Sequence, residues 1–92
     1  MGNRKYVLNT DKVLFTPLDD EGILYAIEEN KYISLNTTYT SIIQYIAEGL
    51  DFNLIVTQLM EEYEVNQDVC EMQLNTVIAD LIAKEYINEA TA

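Results

Sequence analysis

Ninety-two residues leave room for a single hydrophobic core, so one domain is expected over residues 1–92 and an enzyme with a cleft between two lobes is excluded. Apolar residues at 49% and charged residues at 23% exclude intrinsic disorder, while sixteen Asp and Glu against five Lys and Arg give a net charge of -11 that repels nucleic-acid phosphates and anionic membranes. With no His and with Cys70 as the lone cysteine, the chain lacks an internal disulfide, a CxxC pair, a Cys/His zinc site and any Ser-His or Cys-His nucleophile.

The segment Met1-Gly2-Asn3-Arg4-Lys5-Tyr6 departs from the myristoylation pattern at Tyr6. No apolar h-region opens the chain, and no apolar run reaches the ~18 residues of a membrane span, so a cytoplasmic protein without a membrane partner is expected. The first strand covers residues 13–16 and is closed by Pro17; a polar turn, Leu18-Asp19-Asp20-Glu21-Gly22, follows. Residues 23–27 and 32–35 are β-branched and aromatic runs flanking Glu28-Glu29-Asn30-Lys31, the composition of a hairpin. A two-residue loop at Glu29-Asn30 puts Leu24, Ala26, Ile33 and Leu35 on one face. A three-residue loop with Asn30 left-handed instead gathers Ile23, Tyr25, Ile27, Ile33 and Leu35 toward the helices, and this register is favoured. It leaves Leu24 and Tyr32 outward as candidates for contact with a second protein.

Three helices follow. Asn36 or Thr37 caps the first, with Tyr39, Ile42, Ile43, Ile46 and Leu50 at helical spacing and Gly49 closing it at C′. Asp51 caps the second, from Phe52 to about Tyr63, which buries Ile55, Val56, Leu59, Met60 and Tyr63. After a tight connection at Glu64-Val65, Asn66 caps the last helix, whose stripe is Cys70, Leu74, Val77, Ile78 and Leu81, followed by Tyr86 and Ile87. The core is expected over about residues 12–87, with both termini frayed.

The fold class is therefore α+β: a three-stranded antiparallel sheet followed by three helices, winged-helix-like in outline. The charges exclude DNA reading, because the third helix carries Asp68, Glu71, Asp80 and Glu85 against Lys84 alone. Cys70 lies on the apolar stripe and reads as a small hydrophobe. The acidic groups Asp19-Asp20-Glu21 and Glu61-Glu62 with Glu64 lack the ligand spacing and central Gly of a calcium loop, so no metal and no cofactor are expected. Tyr39, Tyr45, Tyr63 and Tyr86 read as wedges with their hydroxyls at the surface.

Taken together, the strand ending at Leu35-Asn36, Ile42-Ile43 closed by Glu48-Gly49, Ile55-Val56-Thr57-Gln58-Leu59 running into Tyr63-Glu64-Val65, and Leu74, Val77-Ile78 and Leu81 before Tyr86-Ile87 resemble the PqqD-like proteins. These are leader-peptide-binding modules, the recognition elements of pathways that modify ribosomally made peptides. The resemblance spans roughly residues 12–87. It departs at Gln73, where an acidic residue is frequent, and at Glu85, where Gly is common; the latter implies a slightly longer last helix.

The resemblance implies a non-catalytic adaptor that takes the leader of a precursor peptide as an added antiparallel strand and delivers it to a leader peptidase or other modifying enzyme. The implied peptide-binding residues are Lys31, Tyr32, Ile33, Ser34 and Leu35 on the strand edge, and Val69, Gln73, Thr76, Val77 and Asp80 on the third helix. An unpaired edge supplies main-chain hydrogen bonds to any extended peptide, and pockets under alternate side chains supply selectivity. The negative charge favours a basic leader. Free-standing length, Asp51-Phe52 and the acidic balance look most like the lasso-peptide type; the alternatives are a PqqD-like partner of a radical-SAM enzyme, an acidic carrier protein or a docking subunit. Against the carrier, neither Ser34 nor Ser41 lies in an Asp-Ser-Leu sequence.

Overall fold

The structure, a computed structural model, describes residues 4–18 and 21–90. The elements run β1 (Tyr6–Leu8), β2 (Val13–Pro17), β3 (Gly22–Ala26), β4 (Lys31–Leu35), α1 (Thr37–Ala47), α2 (Phe52–Tyr63), α3 (Gln67–Ala83) and β5 (Ile87–Glu89). β2, β3 and β4 form an antiparallel sheet in that order, and β1 and β5 form a separate two-stranded sheet. Three strands followed by three helices match the expected α+β class. Asp19 and Asp20 of the expected polar turn lie outside the described residues.

Each helix starts where an oxygen-bearing side chain satisfies a free amide of the first turn. Asn36 accepts from the Tyr39 amide at 2.8 Å, Asp51 from Leu54 at 2.9 Å and Asn66 from Val69 at 2.9 Å. Gly49, at φ 90°, closes α1, and its amide reaches the Ile46 carbonyl at 3.0 Å. The expected stripes are buried: Ile42, Ile43 and Ile46 on α1, Ile55, Val56 and Leu59 on α2, and Cys70, Leu74, Val77, Ile78 and Leu81 on α3. Tyr39, Leu50, Met60 and Tyr63 are half-buried at its rim.

The hairpin corrects the favoured register. Ala26 stands opposite Lys31, Leu24 opposite Ile33 and Gly22 opposite Leu35, so the loop has four residues, 27–30. Asn30 is left-handed as expected, at φ 52°, and its amide donates to the Ile27 carbonyl at 3.2 Å. The faces, however, are exchanged: Leu24 and Ala26 are 1% and 3% exposed, whereas Ile23 and Tyr25 belong to the outer face. Leu24 is thus no contact candidate for a second protein. Gly22 decides the parity. A Cβ there would meet Phe15 at 2.9 Å and the Thr40 methyl of α1 at 3.2 Å, so α1 approaches the sheet over this position and takes Leu24 and Ala26 with it. On the outer face Tyr25 and Tyr32 stack with ring centroids 4.7 Å apart, keeping their polar ends near water.

Two further expectations change. Residues 4–8 and 87–90 are tied down: Tyr6, Val7 and Leu8 pair with Glu89, Asn88 and Ile87. The Phe52 amide donates to the Arg4 carbonyl at 2.7 Å, and the Arg4 guanidinium lies 4.4 Å from the Phe52 ring centroid. Tyr6 is 2% exposed, so neither described end is frayed; residues 1–3, 91 and 92 lie outside the described residues. Nor does Glu85 extend α3: the helix ends at Ala83, and Glu85 takes the left-handed φ of 66° that Gly would favour. The Glu85 and Tyr86 amides then reach the Ile82 and Leu81 carbonyls, both at 2.9 Å, which turns Tyr86 back into the core.

Candidate functional site

β4 lies at the edge of its sheet, and the ladder shows which of its backbone groups are free. Leu14 stands opposite Tyr25, and the Ile27 amide donates to the Lys12 carbonyl at 2.8 Å. Odd-numbered residues of β3 therefore bond toward β2, and even-numbered ones toward β4. Lys31, Ile33 and Leu35 consequently bond inward to Ala26, Leu24 and Gly22. The amides and carbonyls of Tyr32 and Ser34 face outward from the edge, where among the described residues no strand covers them.

Beside this edge is a groove of about 540 Å³ lined by Glu29, Lys31, Tyr32, Ile33, Ser34, Lys84 and Tyr86. Side chains opposite one another across an antiparallel pair share a face, so Lys31 and Ile33 lie on the helix side with buried Ala26 and Leu24. Half-buried Ile33 and buried Tyr86 supply apolar lining. Tyr32, 73% exposed, stands on the opposite face.

The strand half of the expected set is brought together, since Lys31, Tyr32, Ile33 and Ser34 all line the groove. Leu35 ends the strand inside the core at 6% exposure, and Val77 is likewise a core residue at 8%. The remaining helical residues spread out along α3. Gln73 lines a different pocket of about 220 Å³ among the three helices, with Thr38, Ile42 and Tyr63. Val69 is half-buried, and the exposed Thr76 donates its hydroxyl to the Met72 carbonyl at 3.0 Å. Asp80 connects α3 to its surroundings: its Oδ2 accepts from the Tyr39 hydroxyl at 3.2 Å and meets the Lys84 amine at 3.1 Å. That hydrogen bond, foremost, holds the Lys84 pKa above its ordinary value. Burial, reinforced by Asp80, raises that of Tyr39.

Lys84, Tyr86 and Glu29 were missed. Tyr86 reads as a continuation of the buried stripe, and it is buried, but the left-handed turn at Glu85 also brings it to the lining of the groove; a Glu-Tyr pair beyond a stripe's end carries no such signal. Among the described residues no cluster of three or more His, Cys, Asp or Glu could hold a metal, and no helix is long and apolar enough to cross a membrane. Burial raises the pKa of Cys70, which suppresses thiolate formation.

No curated protein matches the chain significantly. Among solved structures it is similar to "TbiB1 in Complex with the TbiA(beta) Leader Peptide", with a TM-score of 0.82 and 24% identity over 94% of this chain and 99% of that one; at that identity the likeness is one of fold. The family model "Coenzyme PQQ synthesis protein D (PqqD)" matches residues 21–87, which takes in β3, β4, all three helices and the turn that carries Lys84 and Tyr86. The chain belongs to the PqqD family.

Proposed function

We propose that this chain is a non-catalytic recognition element that binds the leader of a ribosomally made precursor peptide as a fourth strand on β4 and presents it to a modifying enzyme. The observation that carries the reading is the outward set of amides and carbonyls at Tyr32 and Ser34, lying beside a groove with apolar lining. Such an edge binds extended peptide through the main chain, while the groove selects side chains. The fold relative TbiB1, described in complex with a leader peptide, supports the same use of this architecture.

The net charge of -11 favours a leader that is basic overall, acting on encounter more than on final affinity. Within this reading the pathway is of the lasso-peptide type, operating in the cytoplasm with a leader peptidase as partner. The acidic balance and the Asp51 cap before Phe52 support that assignment over a radical-SAM partner. Isothermal titration with the precursor encoded beside this chain tests the core of the reading: saturable binding to the leader portion is expected, and a folded protein that ignores every leader offered overturns it. The neighbouring genes separate the pathways, a peptidase and a cyclase supporting the lasso assignment and a radical-SAM enzyme overturning it.

A further inference from the structure

The charge of the whole molecule is misleading at the site. Two of the five Lys and Arg residues, Lys31 and Lys84, line the groove beside β4. Lys84 is already shared with Asp80 at 3.1 Å, while Lys31 makes no ion pair among the described residues. Glu29, on the same rim, forms no ion pair with either amine. The last carbonyls of α3 do not draw the amines away, since those of Leu81 and Ile82 are taken by the Tyr86 and Glu85 amides. At this corner of an otherwise acidic protein an extended ligand meets one amine, that of Lys31, that makes no ion pair among the described residues.

The backbone parity converts that corner into a sequence rule. A peptide adding antiparallel to β4 exchanges its hydrogen bonds with Tyr32 and Ser34, so its residues opposite Lys31 and Ile33 form the close, non-hydrogen-bonded pairs. Their side chains share the helix side with Lys31 and Ile33, at the groove. Because the strands run oppositely, the peptide residue facing Ile33 precedes by two positions the one facing Lys31. We infer that the peptide recognised at this edge reads apolar, any residue, acidic: an aliphatic or aromatic side chain over Ile33 and Tyr86, followed two residues later by an Asp or Glu held by Lys31 with support from Lys84. This rests on the strand-addition reading and deepens it. It also separates two uses of charge, since a leader that is basic overall is steered by the acidic body but fixed in register by a single carboxylate.

The test is selection of random peptides displayed on messenger RNA against the immobilised full chain, repeated with Lys31→Glu and with Ser34→Pro. The wild type is expected to enrich the apolar, any, acidic triplet, and Lys31→Glu to enrich Lys or Arg at the third position. Selected peptides resynthesised with Gln for the acidic residue should bind about threefold to fivefold more weakly at low salt, the range for a part-exposed ion pair. Lys31 is an exposed strand residue, so its variant should fold, and its circular dichroism spectrum checks this. Peptides that depend on Ser34 yet show no acidic preference would overturn the charge rule while leaving strand addition standing. Failure to enrich any peptide sensitive to Ser34→Pro would overturn both.

Discussion

Leu24 of β3 stands directly opposite Ile33 of β4, and both side chains lie on the helix side of the sheet. Together with the Ile27–Lys12 hydrogen bond, which sets the parity of the ladder, that pairing gives the direction of the backbone groups on β4. Ile33 is stitched into its own hairpin, whereas its neighbours Tyr32 and Ser34 offer their amides and carbonyls to whatever comes alongside.

Proline at Ser34 should therefore leave the fold intact and weaken leader binding at least about tenfold, through one lost edge donor and the ring standing in the ligand's way. Proline at Ile33 should damage the protein itself, because it removes a ladder bond to β3. Circular dichroism and titration with leader peptide together distinguish the two. Full binding by a folded Ser34→Pro protein would place the peptide elsewhere.

Glu85 holds a left-handed φ of 66°, a conformation that disfavours any side chain with a Cβ. Glu85→Gly should stabilise the domain by about 0.5–1 kcal/mol, read as a higher urea midpoint at unchanged slope. The ion pair it loses, to Lys12 at 3.5 Å with Glu85 69% exposed, contributes little.

The N-terminal strand supports the core. Tyr6 is 2% exposed and packed in the main hydrophobic cluster, so Tyr6→Ala should cost about 3 kcal/mol in chemical denaturation. Deleting residues 1–8 should cost more, since β5 then loses its partner. Unchanged stability in either variant would show that β1 is not anchored.

Alkali should weaken the fold. The Tyr45 hydroxyl donates to Glu62 Oε1 at 3.0 Å, and burial, followed by that hydrogen bond, pushes its pKa up to about 12 from 10.0. The unfolded chain loses this proton near pH 10 while the folded chain keeps it, so the stabilisation is complete below pH 10 and falls as pH rises toward 12. Lys12 and Lys84, both raised, act in the same direction. Tyr45→Phe should flatten part of the decline in urea midpoint, and remove one high-pH step of the tyrosinate absorbance titration.

The helices were legible because their signals are local: Asn36, Asp51 and Asn66 cap within three residues, Gly49 terminates α1, and the stripes need only the helical period. The hairpin faces were not. In Ile23-Leu24-Tyr25-Ala26-Ile27 both alternations are apolar, and the choice lies in the approach of Thr40 to Gly22, a contact between elements. β1 and β5 escaped notice because three-residue strands carry almost no pattern and their pairing joins opposite ends of the chain. For the site, β4 was recognisable as an edge segment, but the residues that follow α3 and line the groove beside it were not. A wheel drawn through Val69, Gln73, Thr76 and Asp80 cannot show that the chain reverses at Glu85 and brings Lys84 and Tyr86 to the groove.

The pairing of Tyr6 with Glu89 gives the domain the topology of a closed loop whose two ends leave side by side. A module built in this way has one point of attachment instead of two. Spliced into a surface loop of a larger protein, it would close the host's chain across a gap only one strand wide, while β4, outside the sheet formed by those ends, keeps its edge.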